Sequence, residues 1–430
     1  MLALLAGASG VTAKNVVLSY NYTVGSGPFN VVAADVNGDG KLDLICANQG
    51  VYPTVGNTVT VLTNNGNGSF TFSATLLVGN NPIVTAADVN HDGKMDLLTA
   101  NFLSDTLTVL TNNGSGVFGS NATYAVGSPI SLVVGNMNGD ARQYLVCANN
   151  SANSLTVFTN NGNGGFVSNA TYTVGNSPGD VVAADVNGDS KLDLICVNQG
   201  DSTVMVLTNN GTGVFGSNAT YSVGVGPFDV VAADVNGDNK IDLITANDGI
   251  SGEGNTLTVL TNLGNGKFAF SATLTVGANP YVTAADMNGD NKTDLISASY
   301  FNHTLSVLTN NGSGIFGSNI TYPVGNGPLE VVAADVNLNG RLDLISVNYD
   351  SASLTVLLMV DAPLLTIQRL NTTNALLYWP ANVPDFGIQQ NPSLASTWTS
   401  ATNSINTVGG TNQAIVSITT SNRFFRLVHP

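Results

Sequence analysis

A run of 18 residues occurs seven times along the chain, and this internal repeat limits the possible folds more than any other feature. The first copy, VVAADVNGDGKLDLICAN, begins at Val31. The Asp or Asn that opens its acidic loop recurs at spacings of 53, 48, 49, 49, 52 and 49 residues, at Asp35, Asp88, Asn136, Asp185, Asp234, Asp286 and Asp335. A period this regular indicates one structural unit copied in tandem.

Each period predicts four short β-strands and no helix. In the first period we expect strands before the acidic loop (31–35), after it (42–47), in an alternating run (58–62) and in a fourth run (74–78). A turn rich in Asn and Gly separates the third and fourth strands. Four strands per period, repeated seven times, are typical of an all-β, seven-bladed β-propeller of four-stranded blades rather than of a stacked solenoid.

The two ends of the repeat predict how such a ring closes. Residues 15–24 (NVVLSYNYTV) resemble the fourth strand of a period, and the last period stops after its third strand at Val360. We therefore expect the N-terminal strand to complete the last blade, so that closure leaves no exposed edge there. The propeller then spans residues 15–361, and residues 1–14 are interpreted as a signal-peptide remnant or a disordered N-terminus.

From residue 362 the period is lost. Six or seven short alternating runs over 362–430 predict a small β-sandwich. This region resembles a C-terminal module of secreted bacterial proteins that is similar to a fibronectin III domain, on the residues Leu377-Tyr378-Trp379-Pro380, Gln389-Gln390, Trp398 and Phe424-Phe425-Arg426-Leu427. Trp379 and Trp398, the two tryptophans of the chain, are expected in its core.

Composition excludes several classes of protein. The 430 residues hold 12 Lys and Arg against 28 Asp and Glu, and the net charge of −16 would repel nucleic acid. A charged fraction of only 9% excludes a coiled coil. No apolar run reaches the roughly 18 residues that a membrane-spanning helix needs. We expect a soluble monomer without membrane insertion.

Five of the seven loops keep the pattern Asp-x-Asn-x-Asp-x-Lys-x-Asp. Hard oxygen donors at alternating positions of a tight loop are the ligands that Ca²⁺ takes, and the backbone carbonyl of the Lys is the expected further ligand. The predicted metal residues are Asp35, Asn37, Asp39, Lys41 and Asp43; Asp88, Asn90, Asp92, Lys94 and Asp96; Asp185, Asn187, Asp189, Lys191 and Asp193; Asp234, Asn236, Asp238, Lys240 and Asp242; and Asp286, Asn288, Asp290, Lys292 and Asp294.

An EF-hand is excluded, because position 12 of these loops is Cys, Thr or Ser instead of Glu. The alternative to a metal site is a hairpin turn rich in Asp and Asn. The third loop has Tyr144 in the last ligand position, and we expect it to hold no metal. The seventh lacks one carboxylate and is the weaker site, with Asp335, Asn337, Asn339, Arg341 and Asp343. The sequence therefore predicts five or six Ca²⁺ per chain.

A ligand is expected at the ends of the blades opposite the acidic loops. The two longest periods owe their excess to residues 49–57 and 248–255, and loops on a rigid scaffold commonly carry binding sites. Aromatic rings beside polar groups stack on sugars or anchor a protein interface. The candidates are Tyr52, Phe102, Asp248, Glu253, Tyr300, Phe301 and Tyr349; the alternative is that these rings pack their own loops or cover the central channel.

No catalytic constellation is predicted. The three histidines, His91, His303 and His429, lie in unrelated contexts, and paired carboxylates occur only where calcium explains them. We expect no enzymatic activity.

A second motif indicates a family. Phe118-Gly119 is followed by Gly127-Ser128-Pro129, and the same order returns at Phe215-Gly216 with Gly226-Pro227 and at Phe316-Gly317 with Gly327-Pro328. Residues 15–361 thus resemble the FG-GAP/VCBS repeats, the family that builds the seven-bladed propeller of integrin α subunits and of many secreted bacterial proteins. The resemblance implies calcium in the loop between the first and second strands of a blade.

The combined expectation is a secreted or cell-surface, calcium-binding propeller that recognises or adheres to a glycan or an extracellular protein. Extracellular calcium modules bind at roughly 10⁻⁴ to 10⁻³ M, which favours a setting outside the cell. The alternatives are a lectin with defined sugar sites, a polysaccharide-cleaving lyase or hydrolase on the same scaffold, and a structural spacer.

Overall fold

The computed structural model describes residues 16–249, 252–361, 365–371, 373–380, 387–391, 399–417 and 424–428. The predictions for residues 1–14 and for Trp398 lie outside these ranges. The chain divides into two compact units, one of residues 19–358 and one of residues 359–430 with the N-terminal residues up to 18.

Each of the first six periods forms one four-stranded antiparallel sheet, the seventh supplies three strands of another, and the sheets are numbered 1 to 7 here in chain order. The chain enters with β1 (Val16–Thr23), and sheets 1 to 4 comprise β2 (Pro28–Ala34), β3 (Asp43–Asn48), β4 (Thr58–Asn64), β5 (Phe70–Leu77); β6 (Pro82–Ala87), β7 (Asp96–Asn101), β8 (Thr106–Asn112), β9 (Phe118–Ala125); β10 (Pro129–Gly135), β11 (Tyr144–Asn149), β12 (Ser154–Asn160), β13 (Phe166–Thr173); and β14 (Pro178–Ala184), β15 (Asp193–Asn198), β16 (Thr203–Asn209), β17 (Phe215–Ser222).

Sheets 5 to 7 repeat the arrangement, with β18 (Pro227–Ala233), β19 (Asp242–Asn247), β20 (Thr256–Gly264), β21 (Lys267–Thr275); β22 (Pro280–Ala285), β23 (Asp294–Ser299), β24 (Thr304–Asn310), β25 (Phe316–Pro323); and β26 (Pro328–Ala334), β27 (Asp343–Asn348), β28 (Ser353–Val360). The structure places β1 beside β28, so that it supplies the fourth strand of sheet 7, as the sequence predicts.

Burial changes across each sheet and explains where the core lies. The second strands are buried at every position, whereas the fourth strands alternate between exposed and partly buried residues. Apolar clusters form between consecutive sheets; Leu98 and Val109 of sheet 2, for example, pack with Leu145 and Phe166 of sheet 3. Each sheet therefore depends on its neighbours to cover its apolar faces.

The first strands of all seven sheets line one cavity of about 340 Å³. Repeated four-stranded sheets around a common cavity constitute an all-β, propeller-like fold. Neighbouring first strands are in contact around the cavity, and the first strand of sheet 7 also contacts that of sheet 1.

Two local predictions need correction. The fourth strand of sheet 1 begins at Phe70, four residues earlier than expected, because Phe70 pairs with Asn64 across a five-residue turn. Short 3-10 segments also occur between the second and third strands of sheets 2, 4 and 6, where no helical residue was expected, at Phe102–Ser104, Gln199–Asp201 and Tyr300–Asn302. Among the described residues there is no helix long and apolar enough to cross a membrane.

The C-terminal region contains two further sheets. One has the order β29-β30-β34-β33 and the other β32-β31-β35, with β29 (Thr366–Arg369), β30 (Asn374–Pro380), β31 (Gly387–Asn391), β32 (Thr399–Ser400), β33 (Asn406–Val408), β34 (Thr411–Ser417) and β35 (Phe424–Val428). Trp379 in β30 is fully buried, which confirms its predicted place in a core.

Candidate metal centres and ligand-binding face

The last Asp of each full acidic loop is a buried structural residue. Asp43 begins the second strand of sheet 1, and its two carboxylate oxygens accept the backbone N–H groups of Val36 (3.1 Å) and Asn64 (2.8 Å). The same pair of bonds is made by Asp96, Asp193, Asp242 and Asp294. Burial raises the pKa of these five carboxyls, and the two N–H donors oppose the rise.

The first three ligand positions of each loop shape a tight turn. Asp35 accepts the N–H groups of Gly38, Asp39 and Gly40, and the side chains of Asn37 and Asp39 each accept the N–H two residues further on. Such Asx turns favour positive φ, which Gly38 and Gly40 adopt. The loop therefore takes its shape from its own backbone donors.

The Lys of each full loop pairs with the Asp two residues before it. The ammonium Nζ lies 2.9 to 3.6 Å from a carboxylate oxygen in all five loops, in the pairs Lys41–Asp39, Lys94–Asp92, Lys191–Asp189, Lys240–Asp238 and Lys292–Asp290. The hydrogen bond from Lys41 lowers the pKa of Asp39 below its ordinary value. The hydrogen bond from Lys240 does the same for Asp238.

The donor set fits Ca²⁺ in kind, because four side-chain oxygens and a carbonyl lie within nine residues. A carboxylate oxygen that accepts one N–H keeps a second lone pair for a cation. The set is not assembled, however: no group of three or more Asp, Glu, His or Cys among the described residues is arranged to hold a metal ion. Metal binding would therefore require the half-buried side chains of Asp35 and Asn37 and the exposed side chain of Asp39 to rearrange.

The two degenerate loops differ as expected in composition. In loop 3 the last position is Tyr144, which is buried, and Asp140 pairs with its neighbours Asn138 and Arg142. In loop 7, Asp335 keeps its turn-forming role by accepting the N–H groups of Asn339 and Gly340.

Six of the seven loops are also attached to the next sheet by an Asn at the end of that sheet's third strand. Asn112 of sheet 2 donates from Nδ2 to the carbonyl of Val36 in loop 1 (2.7 Å) and to that of Met95 in its own loop (2.9 Å). Equivalent bonds to the preceding loop are made by Asn64, Asn160, Asn209, Asn262 and Asn310. These bonds connect the loops to the junctions between neighbouring sheets.

At the opposite end of the sheets, several predicted ligand residues bridge neighbouring sheets. The hydroxyl of Tyr349 donates to the carbonyl of Gly50 (2.9 Å), and that of Tyr300 donates to Asp350 (3.1 Å). Burial and this carboxylate raise the pKa of Tyr300 to about 12. Asp248 accepts the side-chain amide of Gln199 from sheet 4.

Three of the four remaining candidates are exposed. Tyr52 is 94% exposed and Phe301 is 57% exposed, with the Phe301 ring edge-to-face on Tyr300 at 5.0 Å between centroids. Glu253 is exposed, and Phe102 is half-buried beside a smaller cavity. The rings that contact solvent and those that join sheets thus occupy the same face.

Sequence reasoning missed a polar girdle on the first strands. Asn30, Ser131, Asp180, Asp229 and Glu330 line the central cavity, and each accepts a backbone N–H from the first strand of the next sheet, at Val84, Val181, Val230, Val282 and Val31 respectively. They stand at or next to a β-bulge that follows the opening Pro. The signal in the sequence is a polar residue two positions after that Pro, inside an otherwise apolar strand.

Burial raises the pKa of all three girdle carboxyls, Asp180, Asp229 and Glu330. Burial, followed by the charge of Asp180, raises the pKa of Asp229 to about 7, and burial, followed by Asp229, raises that of Glu330 to about 8. Asp180 and Asp229 also hydrogen-bond each other, and burial raises the pKa of Asp180. No Lys, Arg or His is among the described residues that line this cavity.

One end of the cavity is aromatic. The ring of Tyr281 makes edge-to-face contacts with Phe228 (5.6 Å) and Phe29 (6.5 Å). All three rings belong to first strands, directly after the opening Pro.

Comparison with solved structures shows the fold. BBS1N, in complex with ARL6DN, matches with a TM-score of 0.58 at 12% identity over 79% of this chain and 96% of that chain. The periplasmic gluconolactonase PpgL of Pseudomonas aeruginosa matches with a TM-score of 0.52 at 18% identity over 70% and 86%. A protein from Lactobacillus plantarum matches with a TM-score of 0.51 at 16% identity over 76% and 89%. At these identities the likeness concerns the fold alone.

Comparison of the sequence shows the family. No curated protein is significantly similar to the chain. The profile of the FG-GAP-like repeat matches five times, at residues 35–99, 136–196, 185–245, 246–297 and 286–346. Because these matches cover well over half of the 430 residues, the chain belongs to the family of FG-GAP-like repeat proteins.

Proposed function

We propose that the chain is a secreted or cell-surface protein in which the seven sheets are the blades of a closed, calcium-stabilised propeller. It acts as a recognition or adhesion module for a glycan or a protein. The C-terminal sheets form a small β-sandwich that spaces or anchors the propeller.

The observation that carries this proposal is that the loops at the two ends of the sheets differ in character. One end holds seven similar loops rich in oxygen donors, and the other holds irregular connections with the exposed rings of Tyr52 and Phe301. Identical loops serve stability in every sheet, whereas a ligand requires features that only some sheets carry. The loops that recur in all seven sheets therefore support a role in metal binding. The connections that differ between sheets support a role in ligand binding.

The metal role is tested by melting the chelated protein in a titration with Ca²⁺ and, in parallel, with Mg²⁺, while bound metal is counted per chain. We expect five or six Ca²⁺ and a rise in melting temperature specific to Ca²⁺, since an ion that binds only the folded state stabilises it. Absence of bound metal and of any shift would contradict the calcium sites and reduce the loops to hairpin turns.

The binding role is tested on an array of glycans and extracellular matrix proteins in the presence of calcium. Tyr52→Ala and Phe301→Ala should weaken retention at least tenfold if these rings contact the ligand. Phe72→Ala is the matched control, because Phe72 is similarly exposed (62%) but lies on a fourth strand. Equal loss in all three variants would contradict this face as the site, and product release from a polysaccharide would favour the enzyme alternative.

A further inference from the structure

The basic residues of the chain are concentrated in the acidic loops. Seven of the 12 Lys and Arg occupy the position two residues after the third ligand position, one in each period. In the five full loops this residue is Lys, and its ammonium lies within 3.6 Å of the Asp at that third ligand position. The loop predicted to attract a cation thus already contains one.

The fold fixes the place of this ammonium. The stem of Lys41 lies across the Gly of the turn between the third and fourth strands, so closely that a Cβ on Gly66 would be 2.9 Å from Lys41 Cε. Gly114, Gly211 and Gly312 have the same relation to Lys94, Lys191 and Lys292, at 2.6 to 2.8 Å. In these four loops the stem packs on its own hairpin and the charged end lies beside the loop, with 30 to 42% of the Lys side chain exposed. The stem of Lys240 lies farther away, because a Cβ on Gly264 would be 3.9 Å from its Cε.

The ion pair uses an oxygen that a metal needs. Asp39 accepts the Lys41 backbone N–H on Oδ1 and the Lys41 ammonium on Oδ2, so each of its oxygens already has one donor. Asp238 and Lys240 repeat both bonds. A divalent ion that binds the loop therefore either displaces the ammonium from Oδ2 or binds with this positive charge a few ångströms away.

We infer that the five loop lysines are internal counter-ions that compete with Ca²⁺, so that they hold the loops in shape without metal and weaken metal binding. This inference rests on the proposed calcium role and identifies residues that set the affinity of the loops for Ca²⁺. Lys41, Lys94, Lys191, Lys240 and Lys292 are positioning residues; their own carbonyls remain available to a metal whatever the side chain.

The test replaces all five lysines by Met, which keeps the stem and removes the charge. Calcium titration with a chromophoric chelator, in 0.15 M salt to screen distant charges, should show each site about tenfold tighter than in the wild type. In EDTA the same variant should melt at a lower temperature than the wild type, because the loop carboxylates have lost their counter-ion.

Two single variants distinguish the effect of a charge inside the loop on calcium affinity from the effect of the net charge of the protein. Lys41→Met should tighten one site, whereas Lys267→Met, which removes the same charge from a strand outside the loops, should tighten none. Unchanged affinity in the five-fold variant would overturn the competition while leaving the calcium role intact. Binding by the variant but not by the wild type would support the competition and contradict the proposed role, and binding by neither would overturn both.

Discussion

The carboxyl of Glu330 shows how one side chain joins the last sheet to the first. Its Oε2 accepts the N–H of Val31 (3.2 Å), and its nearest charged neighbours in the cavity are Asp229 and Asp180. Since the pKa of Glu330 is raised to about 8, the folded protein holds this proton more tightly than the unfolded chain does. Its stabilising contribution is complete below the unfolded pKa and is lost as pH rises through about 8.

Glu330→Gln should therefore reduce the loss of folding stability at alkaline pH. At pH 9, in EDTA, we expect the variant to exceed the wild type in free energy of unfolding by about 1 to 3 kcal/mol, with little difference at pH 5. Urea denaturation at both pH values measures this. Glu253→Gln is the control, because Glu253, the other glutamate of the chain, is exposed. A constant difference between Glu330→Gln and wild type across pH would refute the titration of this carboxyl.

Within single sheets, the residue that ends the second strand decides how well its polar groups are satisfied. In sheet 5, Asn247 donates to the hydroxyls of Thr256 and Thr258 and accepts that of Thr245, at 3.0 to 3.2 Å. In sheet 6 the equivalent residue is Ser299, and the hydroxyls of Ser299 and Ser297 are buried without a hydrogen-bond partner. Such unsatisfied groups reduce stability.

Ser299→Asn should stabilise the protein by about 1 kcal/mol, because the longer side chain reaches the hydroxyls of Thr304 and Ser306 across the sheet. Gly277 lies beside Ser299, as a Gly lies beside the Asn in sheet 5, so there is room for the amide. The midpoint of chemical denaturation measures the change. Asn247→Ser is the reverse control and should destabilise; a lower midpoint for Ser299→Asn would contradict the proposed hydrogen bonds.

At the scale of the whole molecule, we predict that closure depends on β1. This strand completes sheet 7, where Asn21 accepts the hydroxyl of Thr355 (2.6 Å) and Tyr22 contacts Phe70 of sheet 1 edge-to-face at 5.5 Å. Without β1, the third strand of sheet 7 becomes an exposed edge and the junction with sheet 1 loses its outer contact.

A chain that begins at Val24 should therefore melt about 10 °C below the full chain and aggregate more readily. Thermal denaturation followed by light scattering measures both effects. Addition of a synthetic peptide of residues 16–23 should restore part of the lost stability. An unchanged melting temperature in the truncated chain would show that closure does not depend on this strand.

Much of the candidate site was predictable because the repeat places like residues at like positions. The acidic loops, the strand order and the place of β1 follow from patterns within one period. The ion pairs were not predicted, since a Lys at the expected carbonyl position gives no information about where its ammonium lies. The sheet-joining roles of Tyr300 and Tyr349 were not predicted either, because their partners belong to neighbouring sheets.

The four-stranded unit, its repetition and the chemistry of its loops can be predicted from one period, because alternation, turn residues and ligand spacing act over short distances along the chain. Which polar groups face each other across sheets depends instead on how the strands pack in three dimensions. Glu330 and Val31 are 299 residues apart in the sequence. Their contact exists only because β26, the first strand of sheet 7, lies beside β2, the first strand of sheet 1, and the raised pKa of Glu330 follows from burial at that place.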